Sequence, residues 1–247
     1  MSGASSLAGR VALVTGAGRR VGRALALALA GEGMRVAVHY NVSSADADET
    51  VRLIAASGAE AHALQADLSD ASTAGPLVAA VVARFGQLDL LVNSAASMLK
   101  TPLGTITPQQ FDEIVALNLR APLFLSQAAA PALAAQQGSI VNIGDHMGAE
   151  PWPGYLVHGV AKAGVEALTR HLAAIMAPFV RVNAVVPGAV LAPEGWPAKL
   201  RDEFVRGTPL KRLGTPEDVT AAVVYLAQAT FVTGDVVRVD GGRHVRH

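Results

Sequence analysis

Two groups of residues in this sequence carry chemistry. The first is the glycine-rich run Val14-Thr15-Gly16-Ala17-Gly18-Arg19-Arg20-Val21-Gly22, set between a strand-like Val11–Thr15 and a helix-like Arg20–Ala30. Glycine permits a tight turn and lets the backbone approach a pyrophosphate, and the helix N-terminus beyond it offers free N–H groups and a partial positive charge. A glycine pattern alone is weak; one that follows a strand, opens a helix and stands near the chain start is strong. The second is the scatter of titratable side chains in the chain's middle, Asp145, His158 and Lys162 among them. His158 and Lys162, four residues apart, share one face of a helix. Asp145 can deliver a proton, whereas a neutral imidazole is a poor donor. There is no cysteine, which excludes a disulfide framework, a thiolate zinc site and a cysteine nucleophile; no metal site is expected.

The second strand ends Ala37-Val38-His39-Tyr40-Asn41, followed by Val42-Ser43-Ser44. Sites for NAD usually place an acidic residue at this strand end, on the ribose hydroxyls. None stands here. A carboxylate would repel a 2′-phosphate, while Asn41, Ser43 and Arg20 can donate hydrogen bonds to one. The charge pattern therefore favours NADP(H).

These residues need elements to position them. Short β-rich runs at Val11–Thr15, Arg35–Tyr40, Ala59–Asp67, Leu88–Asn93, Ser139–Gly144, Val180–Val186 and Val236–Val239 alternate with Ala/Leu-rich stretches. Helical spacing of apolar residues is clearest in Arg20–Ala30, Ala74–Phe85, Pro108–Asn118 and Leu156–Ala177. Repeated β-α order predicts an α/β fold: a Rossmann-type, doubly wound parallel sheet of about seven strands with helices on both faces, in one domain over residues 1–247. The proline- and glycine-rich stretch from Pro187 to about Lys199 predicts a functional loop covering the substrate, over roughly 188–207. With 51% hydrophobic residues and a formal net charge of zero, the chain can bury a large core and offers no basic face for nucleic acid or an anionic membrane. No apolar run is long enough to span a bilayer. The N-terminus lacks the apolar core of a signal peptide, so the cytoplasm is the default compartment.

The motifs together resemble the short-chain dehydrogenase/reductase family over nearly the whole chain. The first turn is similar to that family's Thr-Gly-x-x-x-Gly-x-Gly, with Arg20 in place of the middle glycine, and Leu91-Val92-Asn93-Ser94-Ala95 resembles its Asn-Asn-Ala-Gly segment. The resemblance implies a cofactor site built from Gly16, Arg19, Arg20, Val21, Gly22, His39, Asn41, Ser43, Asp67, Leu68, Asn93, Ser94, Ala95, Lys162, Pro187 and Gly188. Within it, Asp67 meets the adenine edge and Pro187-Gly188 covers the nicotinamide; a plain turn role for Asp67 fits equally well. The family's catalytic set falls on Asn118, Asp145, His158 and Lys162. It implies that Asn118 holds a water relay to Lys162, and that Lys162 binds the nicotinamide ribose. Two positions depart from the pattern. His158 stands where the family has its tyrosine, and Asp145 replaces a serine.

Arg20, His39-Tyr40 and Asp145 resemble the pteridine reductase branch, although Val42 stands where that branch carries arginine and Met98 where it stacks an aromatic ring on the pterin. The resemblance implies an NADPH-dependent reductase of a pteridine-like or other small imine or carbonyl substrate, with Asp145 supplying the proton. Met98, Trp152, Tyr155 and Trp196 are the candidate substrate walls. A protein of the same fold that holds NADP(H) without turnover is the other reading, because a cofactor site does not by itself make an enzyme. The C-terminal segment implies a homotetramer or homodimer. Arg246 in the basic tail would reach a neighbouring active site or lie in solvent.

Overall fold

The computed structural model describes residues 6–191 and 195–245, so Arg246 and part of the expected covering loop lie outside the described residues. Seven parallel strands form one sheet: β1 Val11–Val14, β2 Arg35–Tyr40, β3 Ala61–Gln65, β4 Leu90–Asn93, β5 Ser139–Ile143, β6 Arg181–Pro187 and β7 Val236–Val239, in the spatial order β3-β2-β1-β4-β5-β6-β7. The helices are α1 Arg20–Gly31, α2 Ser44–Ala56, α3 Ala74–Phe85, α4 Pro108–Val115, α5 Ala121–Ala135, α6 Leu156–Met176, α7 Ala198–Arg206 and α8 Pro216–Gln228.

Successive strand residues point to opposite faces, so the short apolar strands feed two cores. Ala12 and Val14 of β1, with Val36 and Val38 of β2, pack with α1, α2 and α8 on one face. Val11 and Leu13, with Ala37, pack with α3, α5 and α6 on the other. All four residues of β1 are buried, which is why the strand reads as a continuous apolar run rather than an alternating one. The strand order reverses between β1 and β4. At such a switch point the connections from the two strands leave in opposite directions and open a crevice at their C-terminal ends.

Three elements differ from the sequence expectation in ways that bear on the site. The helix expected over Pro108–Asn118 starts with a Thr107–Gln110 capping box but ends at Val115, and the chain widens into a π-turn over Ala116–Arg120. That wider turn carries the buried Asn118. Proline reads as a helix breaker, yet α5 contains Pro131 and has Pro122 in its first turn, where the missing N–H does no harm. The expected irregular covering loop holds α7, whose Phe204 is buried.

Candidate active site

A cleft of about 400 Å³ opens at the switch point, lined by the first turn, the end of β2 and the residues after β4. The turn fits a pyrophosphate. Gly16 has φ +65°, and a Cβ there would stand 3.0 Å from the Ala95 Cα; a Cβ on Gly22 would run into the Gly16 carbonyl oxygen. Arg19, at the N-cap of α1, makes no side-chain cap, and the first turn holds no acidic residue. The N–H groups and positive end of the α1 dipole are left for an anion.

Neighbouring side chains fix this turn. Thr15 Oγ1 accepts from the N–H groups of Ser94 (2.8 Å) and Ala95 (2.9 Å) and stitches the turn to the end of β4. His39 Nδ1 accepts from the Gly16 N–H at 3.0 Å, and its Nε2–H donates to the Ala66 carbonyl at 3.1 Å. Both ring nitrogens are consumed, so His39 lines the cleft as a strut rather than as a polar contact to a ligand. Burial pushes its imidazole down to about 4 against the opposing pull of the Ala66 carbonyl and Asp67.

The 2′-phosphate candidates are less free than their sequence suggests. Arg20 has φ +52°, a left-handed conformation that costs a non-glycine residue about 1 kcal/mol. Its guanidinium reaches the Leu191 carbonyl at 3.3 Å, across the cleft mouth on the segment after β6. Ser43 Oγ donates to Asp46 Oδ2 at 2.6 Å, and Asp46 itself lines the cleft. This carboxylate was not legible as a site residue, because it lies past the strand end on α2; Arg23, 3.7 Å away, partly offsets its charge. Asn41 lies 3.4 Å from Asp67 Oδ1, and Asp67 accepts from the Ser69 N–H and hydroxyl, as a turn aspartate does. Arg19, Val21, Leu68 and Ser94 also line the cleft.

Beyond it, Asn93 braces the sheet: its Nδ2 donates to Asn142 (2.8 Å), which donates to Thr169 on α6 (2.9 Å). Pro187 ends β6, and the Gly188 N–H donates to Val239 at 2.9 Å; a Cβ on Gly188 would stand 2.9 Å from the Asp240 Cα.

The structure brings Asn118, Asp145, His158 and Lys162 together. The Asn118 amide is locked to Ser97, its Oδ1 accepting from the Ser97 N–H and its Nδ2 donating to the Ser97 carbonyl, both at 2.8 Å. His158, buried, places Nδ1 3.1 Å from the Ser97 carbonyl and 3.2 Å from Asn118 Nδ2. Its Nε2 faces Asp145 Oδ2 at 3.4 Å, close enough for an ion pair but not in line for a hydrogen bond. Lys162 Nζ donates to the Ile143 carbonyl at 2.7 Å. Burial pushes the Lys162 ammonium down to about 8, with the Asp145 carboxylate opposing the fall.

Asp145 corrects one expectation. Burial alone would push its carboxyl up, but the imidazoles of His146 and His158 and the Met147 N–H outweigh it and hold the group well below the usual carboxylate range. Asp145 is therefore a carboxylate at neutral pH and not the resting store of a proton. Of the pair, it is the member that reaches open space: its side chain is 25% exposed, that of His158 only 3%.

Trp152, Tyr155 and Trp196 do converge, in one aromatic cluster with His146 and Phe204 at centroid distances of 5.6–6.5 Å. Met98 is 46% exposed. No group of His, Asp and Glu among the described residues could hold a metal ion, and none of their helices is long and apolar enough to cross a membrane.

A family model described as enoyl-(acyl carrier protein) reductase matches residues 16–244. A Streptomyces violaceoruber protein assigned as ketoacyl reductase 2 of the granaticin polyketide synthase is 39% identical, over 95% of this chain and 96% of its own length. A 3-oxoacyl-(acyl-carrier-protein) reductase of Staphylococcus aureus is 35% identical, over 95% and 98%. A solved structure from Sinorhizobium meliloti, assigned as a short-chain alcohol dehydrogenase, superposes with a TM-score of 0.93 at 31% identity, covering 98% of this chain and all of the other. The glycine cradle at the sheet's switch point, the set around Lys162 and relatives matched along almost their full length lead to one conclusion: the chain belongs to the short-chain dehydrogenase/reductase family.

Proposed function

We propose that the protein is an NADPH-dependent reductase of a small substrate with a C=O or C=N bond. The observation that carries this reading is the Asp145–His158 pair, whose carboxylate acts on the buried ammonium of Lys162. A protein that only stores a dinucleotide needs no buried proton-holding pair next to a buried ammonium.

Reduced nicotinamide, when bound, supplies the hydride that reaches the substrate carbon. The chain's own residues then manage the proton. The position of His158, four residues before Lys162, is the one where the family carries tyrosine, and its imidazole is too deeply buried to touch a substrate directly. We read it as an imidazolium in the reacting complex, with Nδ1–H on the Ser97 carbonyl and Nε2–H facing Asp145, so that giving up the Nε2 proton leaves a neutral ring. The carboxylate passes that proton to the oxygen or nitrogen of the reduced bond. Asp145 thereby extends the reach of a side chain shorter than tyrosine. The charge of Lys162 favours the ionised form of Asp145 and would hold the nicotinamide ribose. Asn118 fixes the ring through Ser97.

The relatives assigned as ketoacyl reductases support a carbonyl substrate. Asp145 in place of serine is the feature that favours an imine, since the nitrogen of a C=N bond accepts a proton more readily than a carbonyl oxygen. A pteridine as the particular substrate has no support from the relatives. Preference for the phosphorylated cofactor rests on the cleft having Arg19, Arg20 and Asn41 against the single partly neutralised Asp46.

Titration of the purified protein with NADPH and NADH tests this preference. NADPH binds more tightly, and Arg20→Gly weakens NADPH more than NADH, by about 1–3 kcal/mol if one charge-assisted bond is lost. Equal affinities in the unmodified protein would remove the phosphate argument.

A further inference from the structure

A second cavity, of about 250 Å³, lies at the C-terminal ends of β6 and β7 and shares no lining residue with the dinucleotide cleft. Its walls include His146, Glu150, Val186, Arg238, Arg243 and His244. Two of these side chains are almost wholly buried yet keep polar atoms without a hydrogen-bond partner among the described residues. His146 is 8% exposed with neither ring nitrogen bonded, and Arg243 is 6% exposed with Nη1 unbonded. A buried donor left in that state is costly, so each is a candidate for a partner the chain itself does not supply.

Both groups are held rigid. Arg243 Nε and Nη2 donate to the two Glu150 oxygens at 2.7 Å each, and the guanidinium lies 3.9 Å from the centroid of Phe204, on α7. The His146 ring stands edge-on to Trp152 at 5.6 Å and to Phe204 at 5.8 Å. Its Nδ1 is 3.2 Å from Asp145 Oδ1, out of line for a hydrogen bond. Asp145 thus stands between two imidazoles, with His158 on Oδ2 and His146 on Oδ1. The cavity begins one residue away from the carboxylate assigned to the reaction.

Charge decides which ligand the cavity suits. Both arginines around it already have an opposite charge, Arg243 with Glu150 and Arg238 with Glu166 at 3.3 Å, and His244 Nδ1 lies 2.9 Å from the Asp240 carboxylate. A carboxylate entering here would be buried without a counter-charge of its own, which is strongly unfavourable. A neutral carbonyl oxygen needs only N–H donors; Arg243 Nη1 supplies one, and His146 supplies another in its Nε2–H tautomer, since Nδ1 faces Asp145.

We propose that this cavity binds a neutral carbonyl group, an amide or ester in a non-reacting part of the substrate, with Arg243 Nη1 and His146 as its donors. Calling the ligand part of the substrate rests on the reductase reading; the binding itself does not. Because Arg243 also stacks on Phe204, occupation of the cavity would steady α7 over the site.

The test uses the ¹⁵N-labelled protein without cofactor, so that it stands whether or not turnover is ever found. Acetamide is the probe, and the His146 ring nitrogens and the Arg243 side-chain N–H signals are followed by NMR. Acetamide should move both sets saturably, while sodium acetate at the same concentration should not. His146→Phe, which keeps the aromatic packing, and Arg243→Lys, which keeps the charge, should each weaken acetamide by about fivefold. If Arg243→Lys does not fold, His146→Phe alone decides. Absence of a saturable shift, tighter binding of acetate than of acetamide, or variants that bind acetamide like the unmodified protein would overturn the proposal.

Discussion

His39 makes the phosphate-binding turn sensitive to acid, by an amount that the structure sets. The neutral ring accepts from the Gly16 N–H through Nδ1 and donates to Ala66 through Nε2. Protonation would put a second N–H where the Gly16 N–H points and break the strut. Burial lowers this histidine from 6.5 to about 4. The unfolded chain therefore takes up the proton first as the pH falls. The stability that the neutral ring contributes is complete above about pH 6.5 and is lost as the pH drops toward 4. Its full size is about 3 kcal/mol, at 1.36 kcal/mol for each tenfold change in proton affinity. Between pH 7 and pH 5 the loss from this one residue is about 2 kcal/mol. Urea unfolding at pH 7 and pH 5 measures it, comparing the unmodified protein with His39→Phe, so that the other histidines cancel. The unmodified protein should lose about 2 kcal/mol more than the variant over that interval. Parallel losses in the two proteins would refute the assignment of His39 as a neutral strut.

Lys162 gives a second pH signature, of the same sign for stability but in the alkaline range. Its ammonium is lowered to about 8, so the apparent kcat/KM for NADPH oxidation falls as the pH rises through about 8. Stability rises between there and the ordinary lysine range, because the unfolded chain holds the proton longer; a rate profile flat to pH 10 contradicts this. For assembly, β7 is an edge strand with all four residues only half-buried, which fits a homodimer or homotetramer formed across that edge. Light scattering at micromolar concentration should give a multiple of 25.4 kDa, and a monomer would rule it out.

The glycine turn and the alternation of strands and helices were legible in the sequence, because a tight turn and an apolar strand or helix are written in residues close together. The grouping of Asp145, His158 and Lys162 came from the family resemblance and not from spacing. What stayed hidden depends on contacts between distant segments. Asp46 enters the cleft only because α2 folds back against α1, and Arg23 and Thr50 join the two. Arg20 looked like a phosphate ligand, and only the fold shows the Leu191 carbonyl within its reach. The carboxylate state of Asp145 could not be read at all, since it is set by two imidazoles from different turns. Arg243 read as part of a basic tail, near a subunit interface or in solvent, and the chain after β7 turns it inward onto Glu150 and Phe204. The helix α7 was masked by the prolines and glycines before it, which read as a long irregular loop.

The central claim is that Asp145 and His158 together deliver the proton of an NADPH-dependent reduction. Loss of NADPH absorbance, followed with a panel of ketones, quinones and dihydropterins in the unmodified protein, Asp145→Asn and His158→Phe, tests it most directly. The account predicts that at least one substrate consumes NADPH, and that each variant loses at least about 100-fold in kcat for it, the usual lower size of a proton-transfer contribution. Cofactor affinity should stay unchanged in both variants. Turnover that survives His158→Phe would show that the imidazole holds no essential proton, and a protein that binds NADPH tightly but consumes it with no substrate would contradict the claim altogether.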